Sequence, residues 1–296
     1  MSAMLDDMSP IDAIDERVDR IALCGGPYSN FAAVEAFLAV THGMPRFCLG
    51  DIGGFGPEPN RTLDLVRRND VVCIQGNYDH AVGFDERDCR CGYIDPLDRE
   101  YAQISFDYTA KHTSAQHKAW LRELPPQRII EWRGARILLV YGSPDQVNEF
   151  VWDSETGDDT IDGWLARERV SGICATHSDL PWIRRTSRGF WCNVGLLGRP
   201  AHDGSRQVGY ALLCHDGSRV EPQLVALDYD VVSVAAAMRS AGLPEAFPAS
   251  LESGLWTTCD NILPAREREP ARRYWSSNQQ HHGESDARNV AAAQGD

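Results

Sequence analysis

The chain has 296 residues, of which 43% are hydrophobic, and its formal net charge is −14 at pH 7. That length can bury one large core, whereas the acidic balance argues against a nucleic acid polymer as partner, because phosphate backbones require a basic surface. The sequence contains no apolar run of about 18 residues, the length that predicts a membrane span, and the acidic N-terminus lacks the apolar segment of a secretory signal. We therefore expect a cytoplasmic protein without a membrane partner, whose nine cysteines are thiols.

Strands and helices are predicted to alternate along the chain. In the first half we predict strands at 20–24, 46–50 and 71–75, helices at 30–42 and 60–69, and two helices within 99–125, the second beginning at Thr113 or Ser114. In the second half we predict strands at 128–132, 136–140, 172–175, 189–194, 208–213 and 223–229, followed by helices at 231–241 and 251–263. Arg133-Gly134 and Asp216-Gly217 have the composition of hairpin turns.

The pattern is typical of one α/β domain over residues 19–263 with an N-terminal extension at 1–18. Residues 264–296 are polar and have no hydrophobic period, which predicts a disordered tail. His281 and His282 lie in this tail, and we expect them to be solvated and to bind no metal.

Polar clusters follow five of the predicted strands. They read GDIGGFGPEPN (50–60), GNYDH (76–80), YGSP (141–144), ATHSDLP (175–181) and NVGLLGRP (193–200). Because the loops at the carboxyl ends of strands converge in α/β sheets, these clusters should meet at one site. Asp51, Asn77 and His177 would bring a carboxylate, an amide and an imidazole there, a donor set suited to a metal ion.

The order GD…GN.DH…GSP…TH..LP…NVG..G.P resembles the calcineurin-like metallophosphoesterases, in particular the bacterial branch with diadenosine tetraphosphatase-like and phosphodiesterase proteins. The resemblance runs over roughly residues 20–228. It implies a four-layer α-β-β-α sandwich of two mixed sheets with a two-metal site at the strand ends, usually holding iron, manganese or zinc. It also implies hydrolysis of a small phosphorylated compound or a nucleotide.

Several ligand positions of the resembled family are altered in this chain. In the first motif, which reads CGGPYSN, Gly26 stands where the family has an aspartate and Tyr28 where it has a histidine. Tyr141 replaces the histidine before Gly-Ser-Pro, and Asp179 replaces the second histidine of the last motif. Tyr78 stands where a histidine often acts as general acid. The resemblance therefore implies a depleted metal site.

The remaining residues leave three outcomes open for the metal site. By the resemblance, Asp51, Asn77 and His177 would hold one metal with Tyr141 at a fourth position, and Asp51, Asp179 and Tyr28 would surround the other. The three outcomes are a single metal on Asp51, Asn77 and His177, an iron site that uses a tyrosinate from Tyr28 or Tyr141, or no metal. In the last case the phenols would fill the volume of the missing histidines as hydrogen-bonded side chains.

Further residues are candidates for catalysis. Asp51 and Asn77 would act through the metal, Asp79 is retained from the resembled motif, and His80 could act as a substitute general acid. The alternative for His80 is an ordinary surface or core histidine.

Other residues are candidates for substrate binding. Arg199 could bind a phosphate in a bidentate manner or be a solvated side chain, and Asn193 belongs to the same loop. Trp152 could stack on a base or sugar, although core packing is the alternative role.

The cysteines allow one further hypothesis. Cys89 and Cys91 form a CxC pair, which is weak as a metal motif without a second pair. They are either structural or part of a sulfur-containing centre. Cys48, Cys73, Cys174, Cys192 and Cys214 fall in predicted strands, where we expect small buried side chains.

Three functions are therefore open: a metal-dependent phosphoesterase with an altered site, a non-catalytic relative that binds a ligand or partner, and a repurposed mononuclear iron enzyme.

Overall fold

The computed structural model of the chain describes residues 9–268. The strands are β1 (Ile11–Ala13), β2 (Arg20–Cys24), β3 (Arg46–Cys48), β4 (Val72–Cys73), β5 (Gln127–Trp132), β6 (Ala135–Val140), β7 (Gly172–Ala175), β8 (Trp182–Arg185), β9 (Phe190–Asn193), β10 (Val208–His215) and β11 (Val220–Leu227). The helices are α1 (Phe31–Val40), α2 (Pro59–Arg68), α3 (Asn77–Gly83), α4 (Pro96–His112), α5 (Ala115–Glu123), α6 (Asp158–Glu168), α7 (Val231–Ser240), α8 (Ala246–Ser253) and α9 (Ala265–Arg268).

The strands form two mixed sheets. One has the order β1-β5-β6-β7-β9-β8 and the other the order β11-β10-β2-β3-β4. In the second sheet β2, β3 and β4 are parallel, whereas β10 runs antiparallel to both of its neighbours. Helices cover the outer faces of both sheets, which confirms the four-layer α-β-β-α sandwich.

Alternation along the strands explains how the sheets pack. In β2, Ile21 and Leu23 belong to the cluster between the sheets, whereas Ala22 and Cys24 belong to the cluster that contacts the helices. Successive side chains point to opposite faces of a strand, so a continuous apolar run supplies both faces of a sheet that is covered on both sides.

The cysteines of the strands are small core residues, as predicted. Those of β3, β4, β7 and β9 are buried and that of β10 is half-buried. The expectation that all nine cysteines are thiols is wrong, however, because Cys89 and Cys91 form a disulfide.

The structure differs from the predicted elements in several places, and helix α6 and strand β8 had not been predicted. The predicted helix 251–263 ends at Ser253, because Gly254 adopts a left-handed φ of 72° that terminates α8. Strand β1 lies within the predicted extension 1–18 and pairs in parallel with β5. The short helix α3, which begins at Asn77, had not been predicted.

Two further observations concern the ends of the chain and the membrane prediction. Among residues 9–268, no helix is long and apolar enough to cross a membrane. The predicted disordered tail, with His281 and His282, lies outside the described residues apart from 264–268.

Candidate functional site

A small cavity lies at the carboxyl ends of β2, β3, β6 and β7. Its volume of about 40 Å³ gives room for about three water molecules. The polar residues that line it include one arginine, one histidine and two carboxylates, namely Arg199, His177, Asp51 and Asp179. Five tyrosines complete its polar wall, namely Tyr28, Tyr78, Tyr93, Tyr101 and Tyr141. Six of the residues that the motifs nominated therefore meet in one place: Tyr28, Asp51, Tyr141, His177, Asp179 and Arg199.

The backbone around the cavity is conformationally strained. The left-handed φ angles of residues lining it are 49° for Tyr28, 52° for Asp51, 39° for Phe55, 65° for Asp179 and 54° for Cys259. Non-glycine residues adopt this region rarely, and such strain concentrates at functional sites. The clustering at one cavity marks it as the candidate site.

Asp51 is held by two donors at the centre of the cavity. Its Oδ1 accepts a hydrogen bond from the backbone N–H of Tyr78 at 2.9 Å, and its Oδ2 accepts one from the hydroxyl of Tyr141. A Cβ on Gly76 would lie 2.1 Å from Oδ1, so only glycine leaves room for the carboxylate at this position. Burial, followed by the nearby charge of Asp79, raises the pKa of Asp51 well above its ordinary value.

His177 is buried, and neither of its ring nitrogens makes a hydrogen bond of normal geometry. Its ring stacks on Phe150 with 4.2 Å between ring centroids and lies 4.9 Å from the ring of Tyr141. Burial lowers the pKa of His177 to about 3, so the imidazole is neutral at physiological pH. A neutral imidazole, which has one ring nitrogen with an available lone pair, is the form that binds metals. The backbone of Asn148 and of Cys91 lies close enough to oppose this lowering of the pKa.

Asn77 is the first residue of α3 and is also incompletely satisfied. Its Nδ2 donates to the carbonyl oxygen of Cys89 at 2.6 Å and to Sγ of Cys91 at 3.3 Å. Its Oδ1 is buried without a hydrogen-bond partner. Buried polar atoms of this kind are rare in folded proteins, and this one requires an explanation.

On the opposite side of the cavity the polar atoms are paired. The Tyr28 hydroxyl donates to Oδ1 of Asp179 at 3.1 Å. Burial raises the pKa of Asp179 to about 7, and it also raises the pKa of the Tyr28 and Tyr141 phenols well above their ordinary value. Gly26 has a φ of 30°, and a Cβ there would lie 2.4 Å from Cδ2 of Leu196, so an aspartate does not fit.

Arg199 is 3% exposed and points into the same cavity. Its guanidinium carbon lies 4.1 Å from the ring centroid of Trp256 and 5.0 Å from that of Phe55. One Nη donates to the carbonyl oxygen of Thr258, while the buried Nε lacks a partner. Within the described part of the chain no carboxylate lies at salt-bridge distance from it.

Three of the four predicted catalytic residues, Asn77, Asp79 and His80, are not among the residues that line the cavity. Asp79 is buried beneath it, where its carboxylate accepts hydrogen bonds from the backbone N–H groups of Asp51, Ile52 and Gly76. It therefore fixes the loop geometry as a capping residue. His80 is half exposed, contacts Gln75 and stacks on Phe84 outside the cavity.

Two predicted substrate contacts also lie elsewhere. Asn193 is buried, donates from Nδ2 to Oγ of Ser178 at 2.6 Å and accepts from the backbone N–H of Gly195. Trp152 stacks on Phe150 with an interplanar angle of 2° and belongs to a separate apolar cluster. The predicted site is corrected at both residues, because hydrogen bonds hold Asn193 and stacking holds Trp152 away from the cavity.

Several lining residues were not predicted. Tyr93, Tyr101, Phe247 and Cys259 come from the segment after the Cys89–Cys91 pair, from α4, from α8 and from the chain after it. None of them belongs to a motif, since the tertiary fold alone brings these segments over the strand ends.

The donor types present would suit one cation. Within residues 9–268, no three side chains of the His, Cys, Asp and Glu types converge closely enough to hold a metal. Asp51 and His177 line the cavity, and Asn77 precedes Tyr78, which also lines it. These three residues carry a mixed oxygen and nitrogen set, in which the amide oxygen of Asn77 and the ring nitrogens of His177 make no hydrogen bond of normal geometry. Such a set suits a single cation such as iron, manganese or zinc.

The two sheets, the outer helices and the cavity at the strand ends define the metallo-dependent phosphatase fold. A metallophosphoesterase from Sphaerobacter thermophilus is 24% identical, with a TM-score of 0.62 over 81% of this chain and 100% of that one. A hypothetical protein from Pyrococcus horikoshii is 20% identical, with a TM-score of 0.68 over 79% of this chain and 98% of that one.

In sequence, an uncharacterized protein of Methanocaldococcus jannaschii is 25% identical over 247 residues, which cover 76% of this chain and 94% of that protein. No protein-family profile matches the chain. The resemblance to calcineurin-like metallophosphoesterases is thus confirmed at the level of the fold.

Proposed function

We propose that the protein is a metal-dependent phosphoesterase that hydrolyses a small phosphorylated compound or a nucleotide in the cytoplasm. Asp51, Asn77 and His177 would hold a single cation. When bound, such an ion supplies Lewis-acid stabilisation of the phosphoryl oxygens and lowers the pKa of water.

One observation carries the proposal. Three buried polar atoms, Oδ1 of Asn77 and both ring nitrogens of His177, make no hydrogen bond of normal geometry, and His177 lines the cavity together with the buried carboxylate of Asp51. Leaving a buried polar group unsatisfied costs about 1–3 kcal/mol. A cation bound to Oδ1 and to the unprotonated ring nitrogen would remove part of this cost.

The other residues of the cavity have roles that follow from their charges. Arg199 brings the positive charge with an unused Nε donor, and it would bind a phosphoryl oxygen. Trp256 and Phe55 flank the guanidinium and would restrict its movement. Tyr141 donates to Asp51 and would keep the orientation of that carboxylate.

The test compares two histidines. We expect purified wild-type protein to bind about one equivalent of iron, manganese or zinc and to hydrolyse an aryl phosphate or a bis-aryl phosphodiester slowly. His177→Ala should lose the metal and at least about a hundredfold in activity, whereas His80→Ala, in the exposed histidine, should retain both. Equal metal content and turnover in the two variants would refute the proposal.

A second function is favoured by the hydrogen bond between Tyr28 and Asp179, which occupies half of the cavity without a metal. If the reconstituted protein binds no metal, the cavity would instead serve a non-catalytic ligand, with Arg199 as its anion contact.

A further inference from the structure

The disulfide between Cys89 and Cys91 closes a short loop beside the candidate cation ligands. Both cysteines are buried, and Cys91 lines the cavity. A ring of so few residues stabilises the fold less than one that closes a long loop. Its position beside the site, more than its contribution to global stability, therefore calls for an explanation.

The disulfide loop fixes the amide of Asn77. That amide donates to the carbonyl oxygen of Cys89 and to Sγ of Cys91. Because both contacts involve Nδ2, the loop determines the side on which the amide nitrogen lies. The partnerless Oδ1 is consequently held on the other side.

The same loop also supports His177. Gly92 packs on Phe150 so closely that a Cβ would lie 3.3 Å from its ring, and Phe150 stacks on His177. The carbonyl oxygen of Arg90 accepts a hydrogen bond from Asn148 at 2.7 Å, which ties the loop to the segment that carries Phe150. Two candidate ligands thus depend on one loop for their positions.

We propose that Cys89 and Cys91 form a redox-sensitive site that positions Asn77 and His177. The disulfide holds both side chains in the cation-binding orientation, and its reduction releases them. The statement about the cation rests on the proposed function, whereas the effect of reduction on the cavity does not.

The chemistry is thiol–disulfide exchange with a dithiol reductant. One thiolate of the dithiol attacks a sulfur of the pair and forms a mixed disulfide, and the other cysteine leaves as a thiolate that takes up a proton. The second thiol of the reductant then attacks the reductant's own sulfur in the mixed disulfide, and the remaining protein cysteine leaves as a thiolate that also takes up a proton. Two electrons pass to the protein, which gains two thiols, while the dithiol becomes a disulfide.

The first measurement is the mass of the peptide that contains Cys89 and Cys91, digested without reductant. It should be lighter by two hydrogens than the reduced peptide, and both cysteines should be alkylated only after treatment with a dithiol. A peptide that carries two free thiols even after incubation with a disulfide oxidant would overturn the inference.

The second measurement compares oxidised and reduced protein. Reduction should weaken the binding of Mn²⁺ or Zn²⁺ about tenfold or more, the usual effect of losing an outer contact to a ligand. It should also speed alkylation of Cys259, which lines the same cavity, by about the same factor. Cys214, which is half-buried on β10, is the reference thiol whose alkylation rate should stay constant.

Cys89→Ser is the matched variant, since it keeps Sγ of Cys91 but cannot form the bond. It should behave like reduced wild-type protein with or without oxidant. Unchanged metal affinity and unchanged Cys259 alkylation in both the variant and the reduced protein would overturn the inference. If neither redox state binds metal but Cys259 alkylation still responds, the proposed function fails while the redox-controlled loop stands.

Discussion

The two halves of the cavity differ in how completely their polar atoms are paired. In the half formed by Tyr28 and Asp179, the phenol donates a hydrogen bond to the carboxylate. In the other half, around Asp51, Asn77 and His177, three buried atoms make no hydrogen bond of normal geometry. Pairing is therefore satisfied within the protein in the first half and incomplete in the second.

This difference distinguishes a position that is satisfied by a hydrogen bond within the protein from one that is left unsatisfied. The Tyr28 hydroxyl supplies a hydrogen bond to the Asp179 carboxylate, so this carboxylate needs no cation as a partner. Where donors for a metal persist without such a bond, each unsatisfied atom destabilises the protein unless a ligand binds there. The predictions below test this contrast.

The largest effect is expected from Gly26→Asp, which restores the aspartate of the resembled motif. The new side chain would meet Leu196 at 2.4 Å in a left-handed backbone, so unfolding free energy should fall by about 3 kcal/mol or more. Gly43→Asp is the control, because Gly43 has a φ of 79° but open space around it. Equal melting temperatures of the two variants would show that the half formed by Tyr28 and Asp179 can still accept a ligand.

The next largest effect is expected in the pH dependence of the stability of metal-free protein. The pKa of Asp179 is raised to about 7 by burial, above its value in the unfolded chain, so the folded state binds the extra proton. The stabilisation is complete below about pH 4 and is lost as pH rises to 7, at up to about 1.4 kcal/mol per pH unit. Thermal unfolding at pH 5 to 7.5 measures this. Asp179→Asn should reduce the slope without abolishing it, because burial also raises the pKa of Asp79 to about 7. An equally steep slope in that variant would assign the effect to other groups.

One substitution in each half is expected to change the unfolding free energy in opposite directions. Tyr28→Phe removes the donor to Asp179 and should lower the unfolding free energy of the metal-free protein by about 1–2 kcal/mol. His177→Leu removes two unsatisfied nitrogens and should raise it by about 1 kcal/mol, while metal binding is lost. Denaturant titrations of chelated protein provide the comparison. Destabilisation by both substitutions would mean that the two halves are equally satisfied.

The last prediction concerns Tyr141→His, which places the histidine of the resembled motif where the phenol donates to Asp51. We expect about tenfold tighter metal binding, or about 1.4 kcal/mol, measured by calorimetry. Tyr141→Phe removes the hydroxyl without adding a ligand and should give no gain. Identical affinities for both variants would place the cation away from residue 141.

Much of the fold and part of the site followed from the sequence. Strands β2 and β7 were predicted with their observed bounds, because apolar runs of four or five residues are too short for a helix and match the length of a strand. Asp51, His177 and Arg199 line one cavity because each follows a strand whose carboxyl end faces the same edge. A motif at the carboxyl end of a strand therefore predicts where its residues lie in the fold as well as which residue types are present.

The errors have a common physical cause. Asp79 and His80 belong to the same motif as Asn77, but the chain there enters α3, where successive residues rotate by about 100° and point in different directions. Asp79 turns back to cap the backbone and His80 turns to solvent. Tyr93 and Cys259 could not be predicted, since their approach to the cavity depends on tertiary packing of segments without a motif.

Strand β1 determines how the protein tolerates shortening. Residues 11–13 pair with β5, which lies next to β1 at the end of the six-stranded sheet. A chain that begins at residue 19 would leave the outer N–H and C=O groups of β5 unpaired. Such an uncovered edge can pair with the same edge of a second molecule, so we expect the shortened protein to self-associate more strongly than the 296-residue chain.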